Sequence, residues 1–152
     1  MKIGVISDTH GKLRPEALAA LAGSELVLHA GDVGKGDILD PLRSIAPVHV
    51  IRGNIDRDEW ARDWPDTLEV DAGGLRFFLL HDVKDLKVDP VAAGYDVVVS
   101  GHSHRPSVRR DGGVLYFNPG AAGPRRFSLP ITVARLEVHA GVADVEIIDL
   151  FA

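Results

Sequence analysis

Apolar residues in this chain fall into short runs rich in valine, isoleucine and leucine, and each run stops at a small polar cluster. In the first half, strand and helix patterns alternate. Lys2 to Ser7 reads as a buried strand, Arg14 to Ala22 as an Ala/Leu helix with Pro15 in its first turn, and Gly23 closes that helix. Glu25 to His29 is a second strand, Lys35 to Ser44 a second helix, and Val48 to Ile51 a third strand. This order predicts two right-handed βαβ units with parallel strands.

The second half changes character. Leu68 to Asp71 and Leu75 to His81 flank Ala72-Gly73-Gly74, and Ser107 to Arg110 and Val114 to Phe117 flank Asp111-Gly112-Gly113. Ile131 to Val138 and Val142 to Ile148 flank His139-Ala140-Gly141 in the same way, so three antiparallel hairpins are expected. Between the first two lie a short helical segment, Val88 to Ala93 with Pro90 near its start, and an apolar strand, Asp96 to Ser100. About ten strands against two or three helices exceed what one small twisted sheet holds. The expected fold is α/β (α+β): a four-layer αββα sandwich of two mixed β-sheets flanked by helices, in a single domain over 1–152.

Composition narrows the function. The 152 residues are 45% hydrophobic and 26% charged, ordinary globular values, and no apolar stretch nears the ~20 residues of a membrane helix. The chain enters a strand at once, without the signature of a secretory signal, so the expected compartment is the cytoplasm. With no cysteine, disulfides and thiolate ligands are excluded and any metal must be held by oxygen and imidazole. The formal charge of −5 disfavours a long nucleic acid and fits a small substrate, without membrane association; a homo-oligomer is compatible with the sequence.

The chemistry sits where the runs end: Asp8-Thr9-His10, Gly31-Asp32, Gly53-Asn54-Ile55-Asp56, His81, Gly101-His102-Ser103-His104 and Asn118-Pro119-Gly120. Open sheets bind ligands at strand C-termini, so groups distant in sequence converge there. In extended backbone, residues i and i+2 project to one side, which lets Asp8 and His10, or His102 and His104, reach one ion. Gly101 before the second pair permits a turn that a Cβ would make costly. Gly-Asp and Gly-Asn alone are ordinary turn dipeptides; their occurrence together is what carries weight. Asp8, His10, Asp32, Asn54, His81, His102 and His104 are too many donors for one tetrahedral zinc, and they suit two divalent cations about 3.5–4 Å apart sharing a carboxylate.

These clusters, in this order, resemble the calcineurin-like metallophosphoesterases, in particular the small cap-less bacterial and archaeal phosphodiesterases and the retromer subunit that shares their fold. The resemblance covers nearly the whole chain. It implies Asp8, His10 and His104 on one metal, Asn54, His81 and His102 on the other, and Asp32 bridging, with a hydroxide between the ions attacking phosphorus. It also tilts the metal to Mn²⁺, with Fe²⁺, Zn²⁺ or Ni²⁺ as alternatives, and the substrate to a small phosphodiester or phosphomonoester. The rival implication is a catalytically silent scaffold that binds proteins. Two positions depart from the pattern: Asp82-Val83 follows His81 where many members have Gly-His, and Ala121 stands where the Asn-Pro-Gly loop usually continues with Ser.

Other polar residues are read more loosely. Asp56 either positions or protonates the leaving oxygen, which would make it catalytic alongside Asn54, His81 and His102, or caps a following helical turn. His29 either orients Asp32 or is a core histidine bonded to backbone. Arg125 and Arg126 offer a guanidinium fork to phosphate or are solvated loop charges. Asn118 supports the site or forms a turn, Trp60 and Trp64 form a packing pair, and His49 and His139 are structural or exposed.

Overall fold

The computed structural model describes residues 1–152. Ten strands form: β1 (Lys2–Ile6), β2 (Leu26–His29), β3 (Val48–Val50), β4 (Thr67–Ala72), β5 (Leu75–Leu80), β6 (Val97–Val99), β7 (Ser107–Asp111), β8 (Val114–Asn118), β9 (Thr132–His139) and β10 (Val142–Asp149). Three short α-helices accompany them, α1 (Pro15–Leu21), α2 (Leu39–Arg43) and α3 (Pro90–Ala93), with 3-10 turns at Gly36–Ile38, Glu59–Ala61 and Val83–Asp85. Two five-stranded mixed sheets result, ordered β10-β9-β1-β2-β3 and β4-β5-β6-β8-β7. The strands β1, β2 and β3 are mutually parallel, as are β5, β6 and β8, while β9, β10, β4 and β7 pair antiparallel at the flanks.

Alternation within the apolar runs decides the layers, because successive side chains in a strand face opposite ways. Ile3, Val5, Leu28, Phe77, Leu79, Val97 and Val99 point into one core between the sheets. Ile6 and Val27 point outward against Ala17, Leu21, Leu39 and Leu42 of α1 and α2. Phe78, Leu80 and Val98 line the other outer face with Tyr95 and Val114. Strands buried on both faces read as unbroken apolar runs, which is why β1, β5 and β6 look alike in sequence. The expected sandwich forms, with a correction to its helices. The segment 35–44 is a 3-10 turn followed by one helical turn, because Pro41 has no N–H to give the Asp37 carbonyl and its ring would clash there.

All three expected hairpins are present and close on two-residue turns, pairing Ala72 with Leu75, Asp111 with Val114 and His139 with Val142. Both central residues have positive φ in each: Gly73 and Gly74 (60° and 81°), Gly112 and Gly113 (59° and 83°), Ala140 and Gly141 (49° and 78°). Such type I′ turns match the strand twist. Only Ala140 carries a Cβ into that conformation, a strain of roughly 1 kcal/mol. Ala140→Gly is therefore expected to raise unfolding stability by about 0.5–1 kcal/mol, seen as a higher urea midpoint. An unchanged or lower midpoint would contradict this account.

Candidate metal centre

The C-terminal ends of β1, β2 and β3 in one sheet and of β5 and β6 in the other open onto a common rim. Asp8 and His10 follow β1, Asp32 follows β2, Asn54 follows β3, His81 follows β5, and His102 and His104 follow β6. The structure brings all seven together. Asp8 Oδ1 lies 3.7 Å from His10 Nε2, 3.8 Å from His81 Nε2 and 3.5 Å from His104 Nε2. Asp32 Oδ2 lies 3.5 Å from His10 Nε2 and 3.2 Å from His81 Nε2.

The backbone route to this convergence differs from the sequence expectation. Asp8, His10, Asp32, His102 and His104 have φ of 54°, 47°, 56°, 70° and 63°, in the left-handed region and not extended. Five of the seven non-glycine residues with positive φ are therefore donors in this cluster. Each such residue costs on the order of 1 kcal/mol and persists only where its surroundings over-determine it. Here the loops brace each other: Asp8 N–H donates to Gly31 O (3.0 Å), His10 N–H to Asp32 O (2.9 Å) and Gly11 N–H to Val33 O (2.8 Å).

Hydrogen bonds also fix which atom of each side chain faces the centre. Asp8 Oδ2 accepts from Ser7 Oγ (2.7 Å) and His102 N–H (3.1 Å), leaving Oδ1 inward. Asp32 Oδ1 accepts from Ile55 N–H (3.1 Å), leaving Oδ2 inward. His81 Nδ1 lies 2.8 Å from the Ala30 carbonyl, which can only accept, so Nδ1 carries the proton and Nε2 points into the site. Nothing in the local sequence discloses these partners.

Glycine's part is space more than conformation. Gly53 and Gly101 do not lie at positive φ, so the expected cost of a side chain at Gly101 is steric: a Cβ there would sit 2.1 Å from Ser7 Oγ and 2.6 Å from Asp8 Oδ2. One on Gly53 would sit 2.1 Å from Asp32 Oδ1. Both carboxylates fit because these positions have no side chain.

The charges are strongly coupled. Burial alone would lower the His81 pKa, but the Asp32 carboxylate, the Ala30 carbonyl and Asp8 outweigh it and raise the value to about 9. Burial would raise that of Asp32, yet His81, the Ile55 N–H and His10 hold it below the ordinary carboxylate value. Burial lowers His104, reinforced by His10 and Arg126 against the pull of Asp8.

The donor set suits cations. Asp8 Oδ1 and His10 Nε2 are buried without a hydrogen-bond partner, a costly arrangement that a cation between them would resolve. Asp8, His10 and His104 place ligand atoms within 4.8 Å of one another, as do Asp32, His81 and His102. One end of the Asn54 amide lies 3.1 Å from His81 Nε2, 3.3 Å from His102 Nδ1 and 3.2 Å from Asp32 Oδ2. Its NH₂ can donate to Asp32 Oδ2 in metal-free protein; beside a cation its oxygen would turn inward instead. Two divalent ions held by oxygen and imidazole fit this geometry.

Other sequence expectations resolve as follows. Asp56 is 2% exposed and accepts from Val33 N–H and Gly53 N–H through Oδ2 (3.0 and 2.9 Å) and from Gly34 N–H through Oδ1 (3.0 Å). It clasps the β2 and β3 loops through these bonds and does not cap the next turn, whose N-cap position is Asp58. Fully buried His29 accepts from Gly31 N–H at Nδ1 (3.1 Å), so its Nε2–H donates to Thr9 Oγ1 (3.0 Å), which donates to Val33 O (2.9 Å). It ties the Asp8 and Asp32 loops together by backbone contact without touching the Asp32 carboxylate. Its burial pushes the pKa down to about 4.

Asn118 donates to Gly101 O (2.8 Å) and Ser103 Oγ (3.1 Å), holding the His102–His104 loop. Arg125 and Arg126 are exposed, and Arg125 donates to Leu129 O within its own loop. Asp82 Oδ2 stands 3.6 Å from His102 Nε2, and buried Ala121 pairs with Ile131. Trp60 and Trp64 pack with ring centroids 5.3 Å apart. Sequence reasoning passed over Ser7, Thr9 and Arg57. Arg57 donates from Nε to the Asn54 carbonyl (3.0 Å) and lines a cleft of about 580 Å³ beside Asn54, His81 and His102. Its only sequence signal is its place just after Gly53-Asn54.

Two stacked mixed sheets thus gather carboxylate, amide and imidazole donors on one rim. Residues 1–141 match the calcineurin-like phosphoesterase superfamily domain, and the chain belongs to that superfamily. It is 36% identical over 160 aligned positions to a probable metallophosphoesterase of Methanothermobacter thermautotrophicus, covering 97% of this chain and 92% of that protein. A structurally characterised archaeal phosphodiesterase superposes with a TM-score of 0.80 at 26% identity, covering 97% of this chain and 100% of that one. Vps29 of Entamoeba histolytica complexed with Zn²⁺ shares the fold, with a TM-score of 0.76 at 24% identity and 99% coverage of both chains. These likenesses are with the small cap-less type.

Proposed function

We propose that this chain is a dinuclear phosphodiesterase acting on small phosphodiesters, with Asp8, His10 and His104 holding one divalent ion, Asn54, His81 and His102 the other, and Asp32 shared. The observation that carries this reading is the position of Asp32 Oδ2, within 3.5 Å of His10 Nε2 on one side and 3.2 Å of His81 Nε2 on the other. Such a cation pair would supply an activated water near neutral pH and neutralise charge on the phosphoryl oxygens.

The protein's own contribution is orientation. Ser7 and the His102 amide fix Asp8, Ile55 fixes Asp32, and Ala30 fixes His81, so the inward atoms need no rearrangement when ions and substrate enter. The left-handed residues act to the same end, since backbone held in one strained conformation cannot swing its ligand away. Hard oxygen donors mixed with imidazole suit Mn²⁺, Fe²⁺ or Zn²⁺, and the family resemblance makes Mn²⁺ the proposed ion.

The test is turnover of bis(4-nitrophenyl) phosphate by protein stripped with chelator and reloaded with Mn²⁺, with metal content measured on the same sample. The expected result is two ions per chain and activity that chelator abolishes and Mn²⁺ restores. A preparation carrying two ions per chain that leaves every monoester and diester intact would overturn the assignment and favour a protein-binding scaffold.

A further inference from the structure

The cleft beside Asn54, His81 and His102 has one hydrophobic residue, Leu80, in its lining. Several of its charges are already satisfied. Arg52 bonds Asp66 through Nε and Nη2, both at 3.1 Å, and Asp56 is spent on three backbone N–H groups. The charged side chains that remain in the lining are Arg57, Asp82 and Asp85.

Arg57 is held by Nε on the Asn54 carbonyl and forms no ion pair, so its two Nη groups stay available at the mouth of the site. A guanidinium anchored in this way is a pre-ordered donor to a phosphoryl oxygen. Asp82 Oδ1 accepts from Lys84 N–H and Oδ2 faces His102, while Asp85 is exposed. Carboxylates accept hydrogen bonds and repel anions. No Phe, Tyr or Trp lines the cleft, so a nucleobase finds no stacking surface beyond the imidazoles of His81 and His102.

We infer that Arg57 receives the phosphoryl group and the Asp82/Asp85 wall of the same cleft receives the substrate's alcohol portion, and that the preferred substrate is a phosphodiester of a small aliphatic alcohol bearing hydroxyl or ammonium donors. The inference rests on the proposed dinuclear site and adds its specificity. Arg57 binds a non-bridging phosphoryl oxygen, and Asp85 accepts from the donors of the alcohol. Aryl esters gain nothing from that wall, and alcohols carrying a second phosphate are repelled by it.

The experiment uses Mn²⁺-loaded full chain and compares glycerophosphoethanolamine with bis(4-nitrophenyl) phosphate and with a dinucleotide. The wild type should show the highest kcat/KM on the first after correction for leaving-group reactivity. Arg57→Ala should raise KM about tenfold on all three with metal content retained, and Arg57→Lys, which keeps the charge but loses the Asn54 anchor, should recover only part. Asp85→Asn should shrink the preference for glycerophosphoethanolamine over the aryl diester several-fold. Turnover of the aryl diester with no such preference, or a ratio unmoved by Asp85→Asn, overturns this subsite and leaves the dinuclear reading standing. Absence of turnover on every ester overturns both.

Discussion

Asp32→Ala is expected to cut Mn²⁺-dependent kcat/KM on an aryl phosphodiester by about 10³-fold, a loss of several kcal/mol of transition-state stabilisation. The size follows from position. Asp32 Oδ2 lies 3.5 Å from His10 Nε2 and 3.2 Å from His81 Nε2, nearer to both than Asp8 Oδ1, which is 3.7 and 3.8 Å from the same atoms. Without Asp32, two cations would lie close together with no shared negative ligand, so the variant should also hold fewer than two ions per chain. Asp32→Asn separates ligand loss from loop collapse, because its amide oxygen can still accept from Ile55 N–H. The check is steady-state kinetics with metal content on both variants. Two tightly held ions with activity within tenfold of wild type would remove Asp32 from the shared position.

A second large effect concerns pH. In metal-free protein the His81 pKa stands at about 9 against an ordinary 6.5, so the folded state binds a proton that the unfolded state releases earlier. Its stabilisation is complete below pH 6.5 and is lost as pH rises through about 9, up to roughly 3 kcal/mol. His29 acts in the opposite sense: with a folded pKa of about 4, it costs stability as pH falls from 6.5 through 4, again up to roughly 3 kcal/mol. Urea denaturation in chelator should therefore give a stability maximum near pH 6.5, falling on both sides. Adding Mn²⁺ should move the maximum upward, because metal competes with the proton on His81 and binding releases protons below pH 9. A metal-free profile still rising between pH 6.5 and 9 would show that the His81–Asp32 coupling is weaker than its 3.2 Å geometry implies.

The cleft of about 580 Å³ opens beside the centre on a rim formed by strand ends. Specificity then depends on the few side chains around that rim. Arg57 and Asp85 are exposed, and surface charges that serve no packing purpose can change without disturbing the core. The ligand loops cannot. Gly53 and Gly101 each leave room for a carboxylate, and Asp56 and His29 fasten neighbouring loops through buried bonds. The rigid part of the site thus lies beneath the metals and the adjustable part beside them.

Much of this was written in local order along the chain. Alternating apolar runs settled the strands, and two-residue Gly-containing turns settled the three hairpins, because both depend on near neighbours and on φ values that glycine favours. Polar clusters after those runs marked the candidate donors, since parallel strands must deliver their C-termini to one edge. The helix expected over 35–44 shortens to Leu39–Arg43 behind a 3-10 turn, where Pro41 lacks the N–H that a longer helix needs. Tertiary structure alone decided the rest. The left-handed donors, the fixed tautomer of His81, Asp56 as a clasp and Arg57 in the cleft depend on partners up to 94 residues away, such as His102 N–H on Asp8. A sequence shows which groups are carried to an edge; which atom of each turns inward depends on hydrogen bonds that exist only after the two sheets have packed.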